Sequence, residues 1–341
     1  MGIKGDKEVE MSFDETSVPG LRECGSEYET VRLSLLPTPI HELPRLSEEL
    51  GCRVFCKRDD LTGFGFGGNK SRKLDFLIPY AKRLGADTLL AIGANQSNFC
   101  RMVAAFGSAS NMEVHLVLGG GQPRTPTGNL LVDHLLGAHV HHIDSMDWDD
   151  WALEAKELEG QLKGSGKSVF RMPVGGSTAV GALGYVNAMN EIRRDEERLG
   201  VCFEALVHAS SSGGTQAGLI VGKSLYGWKG RILGMGVAKT AQRLNDEILA
   251  LAEEAGQLVG AEVERDDVYV DDSFRGDRYA ARTEACEEAI SLFARKCGLF
   301  LDRVYTGKAA AGLIDYARKG EFSKDGAVCF LHTGGNLEIF E

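Results

Sequence analysis

Apolar positions along this chain come in two rhythms that alternate. Short, mainly apolar runs appear at Val54-Phe55-Cys56, Thr88–Ile92, Val114–Leu118, Val140–Ile143, Val169–Met172, Ala205–Val207, Ile232–Val237 and Val328–Leu331. Runs of this length, bounded by glycine or polar residues, predict buried strands. Between them the spacing changes to that of a helix. After Lys70, the residues Leu74, Leu77, Ile78, Ala81 and Leu84 fall on one helical face. Val180–Glu197, Gln216–Leu225, Leu244–Leu258 and Arg282–Cys297 predict further helices. Strand, glycine turn and helix in repeated succession predict an α/β fold with parallel sheets flanked by helices. In such folds ligands gather at the carboxyl ends of the strands. The glycine-rich turns after Ile92, Val207 and Leu331 occupy such positions.

Residues 1–30 are polar, show no sustained period and predict an N-terminal arm that is partly ordered at best. They carry no apolar stretch of a secretory signal, and no run of about 18 apolar residues predicts a membrane span. The remaining length suits two lobes better than one core.

Charge narrows the partners. The chain has 49 acidic against 38 basic residues, a net charge of −11, which disfavours a nucleic-acid partner. Its eight cysteines are scattered through predicted elements and read as reduced thiols of a cytoplasmic protein, not as a disulfide framework. Cys52 and Cys56 lack a second pair to complete a zinc site, so no metal is predicted from them.

Three stretches carry candidate chemistry. In Gly67-Gly68-Asn69-Lys70, the lysine stands at a helix start, where the helix dipole favours a neutral amine able to condense with an aldehyde. Taken alone, the same stretch reads more readily as a glycine turn before a surface lysine. In Gly93-Ala94-Asn95-Gln96-Ser97-Asn98, amides and a hydroxyl after a strand suit a carboxylate or a ring oxygen, or simply an N-cap by Ser97 or Asn98. Ser210-Ser211-Ser212-Gly213-Gly214-Thr215 stacks backbone N–H groups before a helix and predicts a cup for one phosphate group. It has neither dinucleotide nor P-loop spacing. A lysine at a helix start and a monophosphate cup together suggest pyridoxal 5′-phosphate (PLP).

The chain closely resembles the 1-aminocyclopropane-1-carboxylate (ACC) deaminase and D-cysteine desulfhydrase family. Leu36–Pro39, Lys57–Asp60, Gly67–Lys73, Gln96–Asn98, Pro173–Ser177, Gly214-Thr215, Val304–Lys308 and His332–Gly335 carry that resemblance. It implies a two-lobed fold type II PLP enzyme, similar to the tryptophan synthase β chain and homodimeric. The larger PLP-binding domain would comprise residues 31–75 and 180–341, the smaller one 76–179. It further implies that Lys70 carries PLP and that Gln96, Ser97 and Asn98 bind the substrate carboxylate. Ser97 matches the reactive serine, and Asn98 the ring-oxygen contact. Gly213, Gly214 and Thr215 take the phosphate. Tyr305 matches an active-site tyrosine and Tyr279, through a one-residue shift, a second. Thr306, where ACC deaminases carry Glu, and Thr333 are implied as cofactor contacts and resemble the desulfhydrase branch.

The expected activity is therefore β-elimination from a small β-substituted amino acid, D-cysteine foremost. The alternatives are another such substrate, for example cysteate, with Arg275 or Arg278 pairing its sulfonate; ACC deamination; or a PLP carrier or sensor without turnover. Both arginines read more simply as surface residues. The chain departs from the family at Asn95, at Phe99, around Ser273–Tyr279 and at Asn336-Leu337.

Overall fold

The computed structural model describes residues 30–340. The predicted N-terminal arm, save its last residue, lies outside them. Ten strands are found among the described residues: β1 (Ile40–Glu42), β2 (Arg53–Lys57), β3 (Thr88–Ala94), β4 (Glu113–Gly119), β5 (His139–Ile143), β6 (Val169–Arg171), β7 (Phe203–Ser210), β8 (Arg231–Gly236), β9 (Val270–Asp271) and β10 (Ala327–Leu331). They form two sheets. The larger has the order β1-β2-β10-β7-β8-β9, and the smaller β5-β4-β3-β6. All pairs are parallel except β1 with β2, which is antiparallel at the edge.

The eight predicted strands and the predicted helices are present, with ends displaced by a few residues. Strands β1 and β9 are too short to show a period. Helices Pro44–Leu50, Asn98–Ala109, Gly128–Leu135, Trp148–Gly164 and Thr306–Arg318 add to those predicted. The Asn98 helix is buried from Phe99 to Gly107. The Trp148 helix is different. Its buried positions Trp151, Ala155 and Leu158 keep plain helical spacing, diluted by eleven or more polar and small neighbours.

Strand alternation divides the core. In β10, Ala327, Cys329 and Leu331 join an apolar cluster with Leu206, Leu116 and Leu89, which runs from one sheet to the other. Val328 and Phe330 face the opposite side, against Phe293 and Leu313.

Behind the Lys70–Arg83 helix lies a buried ion network. Arg72 is 1% exposed. Its guanidinium donates to both oxygens of Asp59, at 2.8 Å each, and to both oxygens of Glu191, at 2.7 and 2.9 Å. It also donates to Thr38 Oγ1 at 3.0 Å, and Tyr185 Oη donates to Asp59 Oδ2 at 2.5 Å. Burial pushes the Asp59 carboxyl up, but Arg72 outweighs it and holds Asp59 below its ordinary range. The Ala179–Leu199 helix comes so close that a Cβ on Gly184 would lie 2.2 Å from Arg72 O. Glycine is required there by packing.

Arg72→Met removes the cation paired with the buried Asp59, while Glu191 keeps Lys57 at 3.2 Å. The expected loss is about 3–5 kcal/mol of folding stability, read from the chemical-denaturation midpoint. A loss below about 1 kcal/mol would show that the network is not the clamp its geometry indicates.

Candidate active site

Turns from both sheets converge on one cavity, which encloses about 650 Å³ including its solvent-open part. Lys70 enters it from the first turn of the Lys70–Arg83 helix. The approach is fixed by Gly67 and Gly68, with φ of +69° and +115°. A Cβ on Gly67 would lie 2.2 Å from Asp60 O, so only glycine fits. Asn69 then locks the helix start: its N–H donates to Thr333 O at 2.9 Å and its Nδ2 to Thr215 Oγ1 at 2.9 Å. The Lys70 amine donates to Asn69 Oδ1 at 3.2 Å. Burial lowers its pKa to about 8. Desolvation, more than the helix dipole on which the sequence argument rests, thus favours its neutral form.

The serine turn after β7 forms the opposite wall. Gly213 is left-handed, with φ of +82°, and the Gly214–Tyr226 helix follows. Gly214 N donates to Ser177 Oγ at 3.2 Å, and Ser177 Oγ donates to Ser212 Oγ at 2.9 Å. Ser210 Oγ is buried without a partner. A Cβ on Gly214 would lie 2.7 Å from both Lys73 Nζ and Ser177 Oγ. Lys73 is itself buried. Its Nζ donates to Gly175 O at 3.0 Å, and burial followed by repulsion from Lys70 pushes its pKa far down.

After β3, Ser97 caps the Asn98–Ala109 helix and accepts from Cys100 N at 3.1 Å. Asn98 is held at both ends. Its Nδ2 donates to Glu338 Oε1 at 2.7 Å, and its Oδ1 accepts from Asn129 Nδ2 at 3.1 Å. One N–H of that amide remains for the cavity. Tyr279 Oη lies 2.5 Å from Tyr305 Oη, and burial raises both phenols far above the ordinary range, so both are neutral.

The cavity gathers Lys70, Ser97, Asn98, Gly213, Thr215, Tyr305 and Thr333. Four predicted residues are not among those lining it. Gln96 turns to the Gly128 helix, where its Oε1 accepts from Asn129 N at 2.8 Å. Gly214 stands behind the cup, and Tyr279 behind Tyr305. Thr306 is completely buried, and its hydroxyl donates to Asp302 Oδ2 at 2.6 Å. Arg278 is exposed as expected. Arg275 departs from the surface reading, because it is half-buried and its Nε has no partner.

Lys73, Ser177, Asp302 and Glu338 were not singled out from the sequence. Lys73 follows Lys70 by three, the spacing of one helical face, which is a usable signal. Asp302 caps the Thr306–Arg318 helix, accepting from Val304 N, Tyr305 N and Thr306 N at 2.8, 2.6 and 2.9 Å. Glu338 comes from the Asn336–Phe340 segment, just after the departure at Asn336-Leu337. Burial, then the nearby Asp302 carboxylate, pushes its carboxyl far up, so it is neutral.

These features fit PLP. A desolvated amine meets the cavity on one side. On the other, a helix N-terminus, an orphaned hydroxyl and the buried Lys73 amine are hydrogen-bond donors suited to a phosphate group. Lys70 would hold the aldehyde carbon, and the Ser210–Thr215 turn with Lys73 and Ser177 the phosphate.

Known proteins agree. Residues 31–334 match the family model described as pyridoxal-phosphate dependent enzyme. A putative 1-aminocyclopropane-1-carboxylate deaminase of Pyrococcus furiosus is 36% identical over 317 residues, covering 93% of this chain and 95% of the relative. A D-cysteine desulfhydrase of Salmonella newport is 38% identical over 319 residues, covering 91% and 95%. The crystal structure of an ACC deaminase homologue superposes with a TM-score of 0.86 at 35% identity, covering 93% and 95%. A fungal L-serine ammonia-lyase from Rhizomucor miehei, at 17% identity, 89% and 94% coverage and a TM-score of 0.65, shares the fold. With the cavity built as it is, these matches establish that the chain belongs to the ACC deaminase and D-cysteine desulfhydrase family of fold type II PLP-dependent enzymes.

Proposed function

We propose that this PLP-dependent lyase acts on D-cysteine, converting it with water to pyruvate, ammonia and hydrogen sulfide. The observation that carries this reading is the electrostatics of the cavity. Among the described residues, Lys70 is the only Lys, Arg, Asp or Glu that lines it. Bound there, PLP supplies an aldehyde for the substrate amine and a ring that takes up the electron pair left at Cα. A carboxylate at the ring nitrogen would deepen that sink. β-Elimination of hydrosulfide needs less of this help than opening of a cyclopropane, which has no good leaving group.

Each protein group then has a task. Lys70, once displaced by the substrate amine, removes the Cα proton. Ser97 and Asn98 present a hydroxyl, backbone N–H groups and an amide at a helix N-terminus, a suitable seat for the substrate carboxylate and the ring oxygen. Gln96 positions them through Asn129. The neutral Tyr305 hydroxyl, backed by Tyr279, is a hydrogen-bond donor for the departing sulfur. Thr333, which lines the cavity, would contact the cofactor, and Thr306 would act through Asp302. The lobe assignment, 31–75 with 180–341 against 76–179, is part of the same reading. So is a homodimeric, cytoplasmic enzyme.

One observation favours a second substrate. The half-buried Arg275, with its unpartnered Nε, would suit the sulfonate of cysteate if the 272–283 loop turned it towards the substrate.

Keto-acid formation from D-cysteine, L-cysteine, cysteate and ACC decides among these. D-Cysteine is expected to have the highest kcat/KM, and ACC the lowest. Faster turnover of ACC than of every β-substituted amino acid contradicts the assignment.

Lys70 sets a pH dependence. With a pKa of about 8, roughly a tenth of the amine is neutral at pH 7, against about 0.03% for an ordinary lysine. PLP capture by cofactor-free protein should therefore accelerate with pH and level off above about 8. A rate still rising steeply beyond pH 9.5 would mean an ordinary lysine pKa.

A further inference from the structure

We infer that Glu113, His115 and His139, on the edge strand β5 and its neighbour β4, form a binding site for zinc or a similar late first-row divalent ion. The placement follows from strand geometry. Glu113 and His115 are two apart in β4 and share a face, as do His139 and His141 in β5. The register sets His115 directly beside His139. Four side chains with metal-binding chemistry thus crowd one corner of the small sheet. That corner lies at the amino ends of these strands, away from the ends that feed the PLP cavity.

Distances support a common ligand. Glu113 Oε1 is 2.8 Å from His115 Nε2 and 3.9 Å from His139 Nε2. All three donor atoms lie within 4.8 Å of one another. Around tetrahedral zinc, with bonds of about 2.0–2.1 Å, neighbouring donors stand roughly 3.3–3.4 Å apart. The observed separations bracket that value, so small side-chain rotations suffice. The His115 and His139 rings already stack, with centroids 4.7 Å apart and planes at 21°.

The surroundings also fit. His115 Nδ1 is 3.0 Å from His141 Nε2. His115 Nε2 hydrogen-bonds Glu113 Oε1 at 2.8 Å; an ion that replaces this proton takes both atoms as ligands, and His115 Nδ1 then donates to His141. An outer partner fixing the tautomer of a ligating histidine is the usual companion of such sites. Lys167 pairs with Glu113 Oε2, leaving Oε1 for the ion. The His139 side chain is 59% exposed, which opens the site to solvent and leaves room for a water ligand. Two imidazoles and one carboxylate select zinc, copper or nickel over magnesium or calcium. Bound there, the ion would fasten the edge strand β5 to β4. It would have no part in the PLP chemistry.

The test uses PLP-loaded protein freed of metal with a chelator. Calorimetric titration with zinc chloride should show one site, with magnesium chloride giving none, and zinc should raise the thermal midpoint. His139→Ala, at an exposed position, should fold normally, keep wild-type lyase activity, lose at least about tenfold in zinc affinity and lose the thermal shift. Glu113→Gln should do likewise. Zinc binding that survives both substitutions unchanged would place the ion on a thiol, such as the exposed Cys202, and overturn the proposal. Failure of the wild-type protein to prefer zinc over magnesium would overturn it as well.

Discussion

The architecture depends on keeping Arg72 paired out of water. Successive residues of an α-helix turn by about 100°, so Arg72 points away from Lys70 while Lys73 returns to its side. The front of the first turn faces the cavity, and the back is clamped by Asp59, Glu191 and Thr38. Each partner comes from a different segment of the chain. The network therefore joins the loop after β2 and the Ala179 helix to the helix that carries Lys70. Buried ion pairs of this kind add little net stability over apolar packing, but breaking one is costly, and that asymmetry enforces a single arrangement.

Charge is excluded from the front with similar consistency. Asp302 is occupied by three backbone N–H groups and the Thr306 hydroxyl. Glu338 is held neutral by burial and by that same carboxylate. Tyr279 and Tyr305 are neutral as well. What remains is a cavity whose one titratable lining charge belongs to Lys70, beside a cup for an anion. A desolvated amine near a buried Lys73 is a poor base by ordinary standards and a good nucleophile at neutral pH.

Much of this was readable from the residues, because local rules were at work. The strands that supply the site are mainly apolar runs, and the glycine turns begin where those runs end. The Gly-Gly-Asn-Lys stretch announces its backbone through glycine. What sequence reasoning missed depends on tertiary contact. Thr306 was expected at the cofactor, but Asp302, four residues earlier, takes its hydroxyl. Gln96 was expected at the substrate, but Asn129 in another helix takes its amide. Glu338 reaches Asn98 across 240 residues of chain, and no spacing rule connects them. Lys73 was within reach, since i to i+3 spacing from Lys70 places it on the same face.

The central claim is that Lys70, and no other lysine, carries the cofactor. Lys73 is the natural competitor, being three residues away, buried and also depressed in pKa. Borohydride reduction of the PLP-loaded protein, followed by digestion and fragment-ion sequencing, separates the two directly. The account predicts a single phosphopyridoxyl modification on Lys70. Modification of Lys73 or of any other lysine, with Lys70 unlabelled, would contradict it.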